Sequence, residues 1–190
     1  SKKAGRLIKR YGDTPKARDL FRQEAAKCVP PLDQDELQAI WNSALKYGAK
    51  EAAKPGYVQP EDYNATSDIM AFLQQVKPEN SRLYTWTDIG GGYLFADCFQ
   101  RIVRYVPEKK CWYKYEDGIW AADSSNLFTM ERCKELANEL IRYTLTIMDE
   151  QRRQEYLKYC TKWQNRNVRE TILKDAQSVH PISMSEFDSD

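Results

Sequence analysis

A single histidine, His180, in 190 residues leaves little room for imidazole chemistry. It stands beside Pro181, and no serine, cysteine or carboxylate is arranged around it in sequence as a catalytic triad would require. The five cysteines, Cys28, Cys98, Cys111, Cys133 and Cys160, are odd in number, widely scattered and never paired as CxxC. A structural zinc site needs about four close ligands, usually in paired spacing, so these residues read as reduced core thiols and no metal is expected. No apolar run approaches the roughly 20 residues of a membrane span, and the first residues do not read as a signal peptide. No spaced-glycine loop ends in the Lys-Ser/Thr of a nucleotide-hydrolysing P-loop. Two-metal polymerase chemistry needs clustered carboxylates, usually on neighbouring strands. Here the predicted strands carry Arg101, Arg104, Lys110 and Lys114, while Glu108, Glu116 and Asp117 sit in turns. Neither catalysis nor a cofactor is expected within this chain.

What is present is an ordinary globular composition, 42% hydrophobic and 30% charged, with a formal net charge of +1. The charge is unevenly spread. Residues 1–22 hold eight Lys/Arg against two Asp, and the last eight hold three acids and no base. The length suits one large domain or two small ones.

Helical punctuation comes early. Residues 1–12 are basic and run into a turn at Tyr11-Gly12-Asp13; they read as an arm, a linker or a soluble leader. Thr14-Pro15 caps a helix with Ala17, Leu20, Phe21, Ala25 and Cys28 on one face, and Val29-Pro30-Pro31 stops it. Asp33, with Glu36 three residues on, opens a second helix bearing Leu37, Ile40, Trp41, Ala44 and Leu45, giving a helical hairpin. From Lys46 to Asn64, Gly48, Pro55, Gly56 and Pro60 loosen the pattern into a linker. A short helix over Ser67–Val76 buries Ile69, Phe72, Leu73 and Val76.

Thr87 caps the next helix, which runs to about Phe99. Three consecutive glycines, Gly90 to Gly92, cost it roughly 1 kcal/mol each relative to alanine. Close backbone packing or a frayed first turn explains them better than a phosphate loop. Strands follow at Arg101–Val106, Lys110–Tyr115 and Ile119–Ala121, joined by Pro107-Glu108-Lys109 and the hairpin signal Asp117-Gly118. A capping cluster at 123–126 leads into a long helix with Met130, Cys133, Ala137, Leu140, Ile141, Leu145 and Met148 on its apolar face. Tyr156, Leu157, Cys160 and Trp163 mark another helix. Val168, Ile172, Leu173 and Ala176 mark a last one, and the tail from His180 reads as extended and acidic.

Binding is better supported than catalysis. Segment 101–114 carries Arg101, Arg104, Lys109, Lys110 and Lys114 against one acid, interleaved with Tyr105, Trp112 and Tyr113. Cations hold phosphates and aromatic rings stack unpaired bases, so this mixture suits single-stranded nucleic acid. Strand alternation puts Lys110, Trp112 and Lys114 on one face, a stripe on the solvent side of a two-layer sheet. The competing reading turns Trp112 into the core and leaves the lysines to solubilise an edge strand. A second basic stretch, 152–174, holds seven Lys/Arg against two acids. Lys158, Lys162, Arg166 and Arg169 recur there at intervals of three and four; a DNA-contacting face and a merely solvated one both fit.

Two regions resemble parts of one replication protein family. Residues 17–45, with Cys28, Pro30-Pro31-Leu32, Glu36-Leu37 and Ile40-Trp41-Asn42-Ser43-Ala44, resemble the small helical domain that follows the catalytic core of phage and plasmid primases. Residues 84–187 resemble the region before the superfamily 3 helicase in phage and poxvirus primase-helicases. The matching marks are Thr87-Asp88-Ile89-Gly90, Ala96, Phe99, Arg104-Tyr105-Val106, Trp112, Tyr115, Asp117-Gly118 and Trp120, with Ile182 to Phe187-Asp188 at the end. Gly91 replaces an asparagine expected after the Thr-Asp-x-Gly glycine. The resemblance implies DNA contact and oligomer support. ATP and magnesium would belong to primase and helicase modules that this sequence lacks.

The expected architecture is therefore mainly α, a helical bundle with a small three-stranded antiparallel β-meander at about 101–121. A primase C-terminal-like helical domain is expected at 1–50, a linker at 51–66 and a pre-helicase domain at 67–190. The expected role is a non-catalytic DNA-binding and connecting module in the cytoplasm of a bacterial host or its prophage. Its partners would be single-stranded or forked DNA and further copies of the full-length protein, with no membrane. The alternative is an oligomerisation collar that does not touch DNA.

Overall fold

The computed structural model describes residues 2–28, 32–53, 57, 59–60, 68–116 and 119–187. Among these the architecture is mainly helical, with one three-stranded antiparallel sheet. The chain divides into two compact units, one of Ser1–Ala65 with Tyr115–Trp120 and Ser185–Asp190, the other of Thr66–Lys114 with Ala121–Met184. The proline stop at 29–31, the Asp117-Gly118 turn, the expected helix start at Ser67, most of the 51–66 linker and the tail beyond 187 lie outside the described residues.

The first unit contains α1 (Lys2–Tyr11), α2 (Pro15–Ala25) and α3 (Gln34–Ala52). Its core joins Ala4 and Ile8 of α1, Ala17 and Phe21 of α2, and Trp41 and Ala44 of α3. The basic leader is thus a packed helix. Ala4, Leu7, Ile8 and Tyr11 recur at helical spacing, a signal the surrounding lysines and arginines mask. Small residues at Ala4, Ala17 and Ala44 let the helices approach, and Phe21 meets Trp41 with ring centroids 5.4 Å apart. Both early helix starts are capped as their sequences require. Thr14 accepts from Ala17 N, and Asp33 and Glu36 cap each other's backbone N–H groups at 2.8 and 3.1 Å. Gly12 turns the chain with φ +68°. One loosening signal is misleading: α3 continues through Gly48 to Ala52, where a bare backbone suits the close approach of α1, since a Cβ would press on Ile8 at 3.2 Å.

In the second unit come α4 (Ile69–Val76), α5 (Asp88–Phe99), β1 (Val103–Val106), β2 (Cys111–Glu116), β3 (Ile119–Ala122), α6 (Leu127–Thr144), α7 (Glu150–Lys162) and α8 (Arg166–Ala176); β2 and β3 also reach into the first unit's 115–120 segment. A short helix α9 spans Met184–Phe187. Asp68, Thr87, Asp149 and Asn165 cap α4, α5, α7 and α8 through their side chains. The three glycines lie inside α5 and are buried. A Cβ on Gly90 would sit 2.1 Å from Thr85 O; on Gly91, 2.9 Å from Trp163; on Gly92, 2.9 Å from Asp175 and 3.0 Å from Ala176 N. Gly91 and Gly92 let α5 lie close against α8, while Gly90 makes room for the chain at Thr85 just before the helix.

The sheet order is β1-β2-β3, with Val103 opposite Lys114 and Tyr105 opposite Trp112. The outer edge of β1 is not bare: Ile182 N donates to Tyr105 O at 3.0 Å, and Arg104 Nη1 donates to His180 O. His180 Nε2 also meets Asp97 Oδ1 at 2.6 Å, while Tyr84 OH donates to Asp97 Oδ2 at 2.8 Å. The tail segment at 180–182 therefore covers the edge, as edge strands require. At the far end of the expected α6 face, the helix stops at Thr144. Leu145 and Met148 are 78% and 96% exposed, so they are not core residues.

Candidate nucleic-acid interface

Strand alternation fails in β1 and β2 alike, and the failure reorganises the basic stripe. Val103 and Val106 of β1 are both buried, as are Trp112 and Tyr115 of β2. Each pair lies three residues apart, so residues of both parities are covered and the sheet has no continuous solvent face. Trp112 is 5% exposed and packs edge-on against Phe95 and Tyr105, with centroids 6.0 and 5.3 Å away. The expected exposed Lys-Trp-Lys stripe is corrected accordingly. Lys110 precedes the strand in a left-handed conformation, φ +49°, and Lys114 places its ammonium 5.3 Å from the centre of the Phe128 ring.

The second basic stretch is also divided. Lys158 and Lys162 are exposed on α7, whereas Arg166 and Arg169 belong to α8 beyond the turn at 163–165. They do not form one helical face. Arg169 is only 8% exposed and donates from Nη1 to Trp163 O at 2.6 Å, so it caps the end of α7 instead of lying in solvent. Arg101, Lys109 and Lys110 are exposed, and Arg104 is half-buried.

Three of the nominated residues nevertheless meet. Trp112, Arg166 and Arg169 line one cleft of about 480 Å³, walled by the start of α6 and by α8. Lys134 and Lys174 line it too, and sequence reading overlooked both. Lys134 belongs to a long helix read mainly for its apolar face, and Lys174 closes a basic stretch in which only the regularly spaced cations drew notice. The cations are partly offset: Lys134 Nζ pairs with Glu131 at 2.5 Å and Arg166 Nε with Glu170 at 2.8 Å. Met130 and Leu173 supply apolar lining.

The start of α6 is held independently of any ligand. Asp123 accepts from Phe128 N at 3.3 Å and, through its other oxygen, from Thr129 N and Oγ1 at 2.9 Å each. Its first-turn donors are therefore largely satisfied. Burial pushes the Cys133 and Cys160 thiols up to about 12, and Cys98 higher still, so none of the three is a nucleophile. Among the described residues no group of three or more His, Cys, Asp or Glu could hold a metal ion, and no helix is long and apolar enough to cross a membrane.

A mostly helical domain with a small meander and a basic-rimmed cleft defines a class, and the sequence comparison makes it specific. A family model described as D5 N terminal like matches residues 92–190. The chain belongs to that family, whose domain is found in phage- and poxvirus-type primase-helicase proteins. No curated protein and no solved structure matches the chain.

Proposed function

We propose that this chain is the non-catalytic DNA-binding and connecting module of a phage-type DNA primase-helicase, guiding template and helping the helicase assemble. Its membership of the D5 N terminal like family is the observation that carries the reading. Four exposed cations, Lys109, Lys110, Lys158 and Lys162, support it: none has an acidic partner among the described residues, so all can meet phosphate. On this reading residues 1–50 form the primase-side helical domain, 51–66 the linker and 67–190 the pre-helicase domain of a cytoplasmic protein. ATP and magnesium serve the catalytic modules, and single-stranded or forked DNA is the partner.

Fluorescence anisotropy with labelled single-stranded, forked and duplex DNA at two salt concentrations tests the reading. Binding that weakens with salt and falls in Lys109→Glu/Lys110→Glu is expected. Absence of binding to every form at low salt would reject it. An oligomerisation collar is the second reading, favoured by the exposed apolar side chains of Ile89, Leu145 and Met148. It requires self-association that persists at high salt and disappears in Leu145→Asp/Met148→Asp, measured by sedimentation.

A further inference from the structure

Arg169 poses a problem that its own unit does not solve. Its side chain is more than nine-tenths buried, its Nε has no hydrogen-bond partner, and its Nη1 bond goes to a neutral carbonyl. No carboxylate pairs with it among the described residues. A buried charge without a counter-charge is costly, and a buried donor without a partner calls for an explanation. Cys133 lies near enough to feel its charge, but that thiol is held neutral. Arg169 borders the cleft that it lines with Trp112, Lys134, Arg166 and Lys174.

We infer that this cleft seats one unpaired nucleotide of single-stranded DNA. Its phosphate would be held by Lys134, Arg166 and Lys174 in the field of Arg169, and its base would lie on the apolar lining of Met130 and Leu173 beside Trp112. The inference rests on the DNA-binding reading and gives it a place and a strand form. About 480 Å³ is within the range of small-ligand clefts and far too small for a duplex. Cations for phosphate beside apolar surface for a base is the combination single strands require. Glu131 and Glu170 regulate entry: each holds one rim cation in an exposed pair, and exposed pairs of this kind are weak. A phosphodiester competes with them directly. Lys174 has no acidic partner among the described residues and is ready to bind.

The experiment uses the full 190-residue chain, labelled oligo(dT) and the matching duplex, with anisotropy read across a salt series. Lys134→Gln/Lys174→Gln should weaken oligo(dT) binding roughly tenfold and flatten the slope of log affinity against log salt by about 0.7 for each phosphate no longer neutralised. Glu131→Gln/Glu170→Gln should strengthen it, a reversal that a merely structural role for these side chains would not give. All four side chains lie at the surface, and thermal melts check that the fold is kept. Wild-type binding left unchanged by both double variants, but reduced in Lys109→Gln/Lys110→Gln, overturns the cleft while leaving the DNA-binding reading intact. Equal reductions on duplex and single strand overturn the unpaired-nucleotide assignment. No binding by wild type removes the DNA-binding reading and the cleft with it.

Discussion

The two units solve the problem of bringing helices together in different ways. In the first, α1–α3 meet through alanines and one aromatic pair, Phe21 and Trp41, and the contacts lie on apolar faces of ordinary helical period. In the second, α5 meets α8 through bare backbone at Gly91 and Gly92, and its own start folds over Gly90. A flexible side chain adjusts when its neighbour changes; the backbone beside Gly90 and Gly92 and the buried Trp163 ring beside Gly91 cannot. The same residue type should thus carry very different weight in the two units.

Removing the aromatic knob should have the largest effect on the first unit. Trp41→Ala is expected to cost about 4 kcal/mol, seen as reduced hydrogen-exchange protection across α1–α3. Gly90→Ala should be nearly as severe in the second unit, about 3 kcal/mol, because Thr85 O and Thr85 N both stand within 2.4 Å of the new carbon. Gly48→Ala sharpens the contrast. Its nearest obstacle is one methyl of Ile8 at 3.2 Å, and alanine regains about 1 kcal/mol of helix propensity, so a change below about 1 kcal/mol is expected by urea unfolding. Equal destabilisation by Gly48→Ala and Gly90→Ala would remove the distinction between the units.

Acid should act on the first unit at a smaller scale. Arg18 holds the Asp13 carboxyl below its usual range through a two-point hydrogen bond at 2.8 and 2.9 Å, and Trp41 Nε1 donates to it at 3.0 Å. Lys27 and Lys3 hold Glu24 down to about 2. A depressed folded-state pKa gives stability that is present above the unfolded value, near 4, and is lost as pH falls through the folded one. Asp13→Ala should cost about 1 kcal/mol at pH 7 because its hydrogen bonds are removed, and the gap to wild type should close in thermal melts as pH falls below the unfolded value, near 4, and through the lowered folded one. A gap unchanged over that range would show that Asp13 contributes nothing by its charge. The smallest effect is a labelling difference. A disulfide-exchange reagent at about pH 8 should modify exposed Cys28 in the native chain and reach Cys98, Cys133 and Cys160 only after unfolding.

How far the sequence can be read follows the same divide. Caps and strand positions are legible: Thr14, Asp33 with Glu36, and Thr87 all cap helices where their spacing requires, and the three strands of the meander fall where their segments predict. Local rules suffice there because the hydrogen bonds close within four residues. The ends of elements are less legible. Leu145 and Met148 keep the helical period of α6, but the helix has already stopped at Thr144. The leader helix α1 is hidden because its apolar positions are separated by lysines and arginines.

The candidate site is legible only in pieces. Residue types and local spacing nominate Trp112, Arg166 and Arg169, since cations and rings are visible in any sequence. That they share a cleft with Lys134 and Lys174 depends on α6 and α8 meeting near β2, across separations of dozens of residues. The sequence by itself determined the helical class, the caps and the family, because these rest on local hydrogen bonding and on patterns a few residues wide. Only the tertiary structure decided that residues on both faces of β2 are covered, which cancels the alternation that would reveal a solvent side. It alone also decided that Arg169 is a buried charge, because burial belongs to neighbours that the chain brings in from far away.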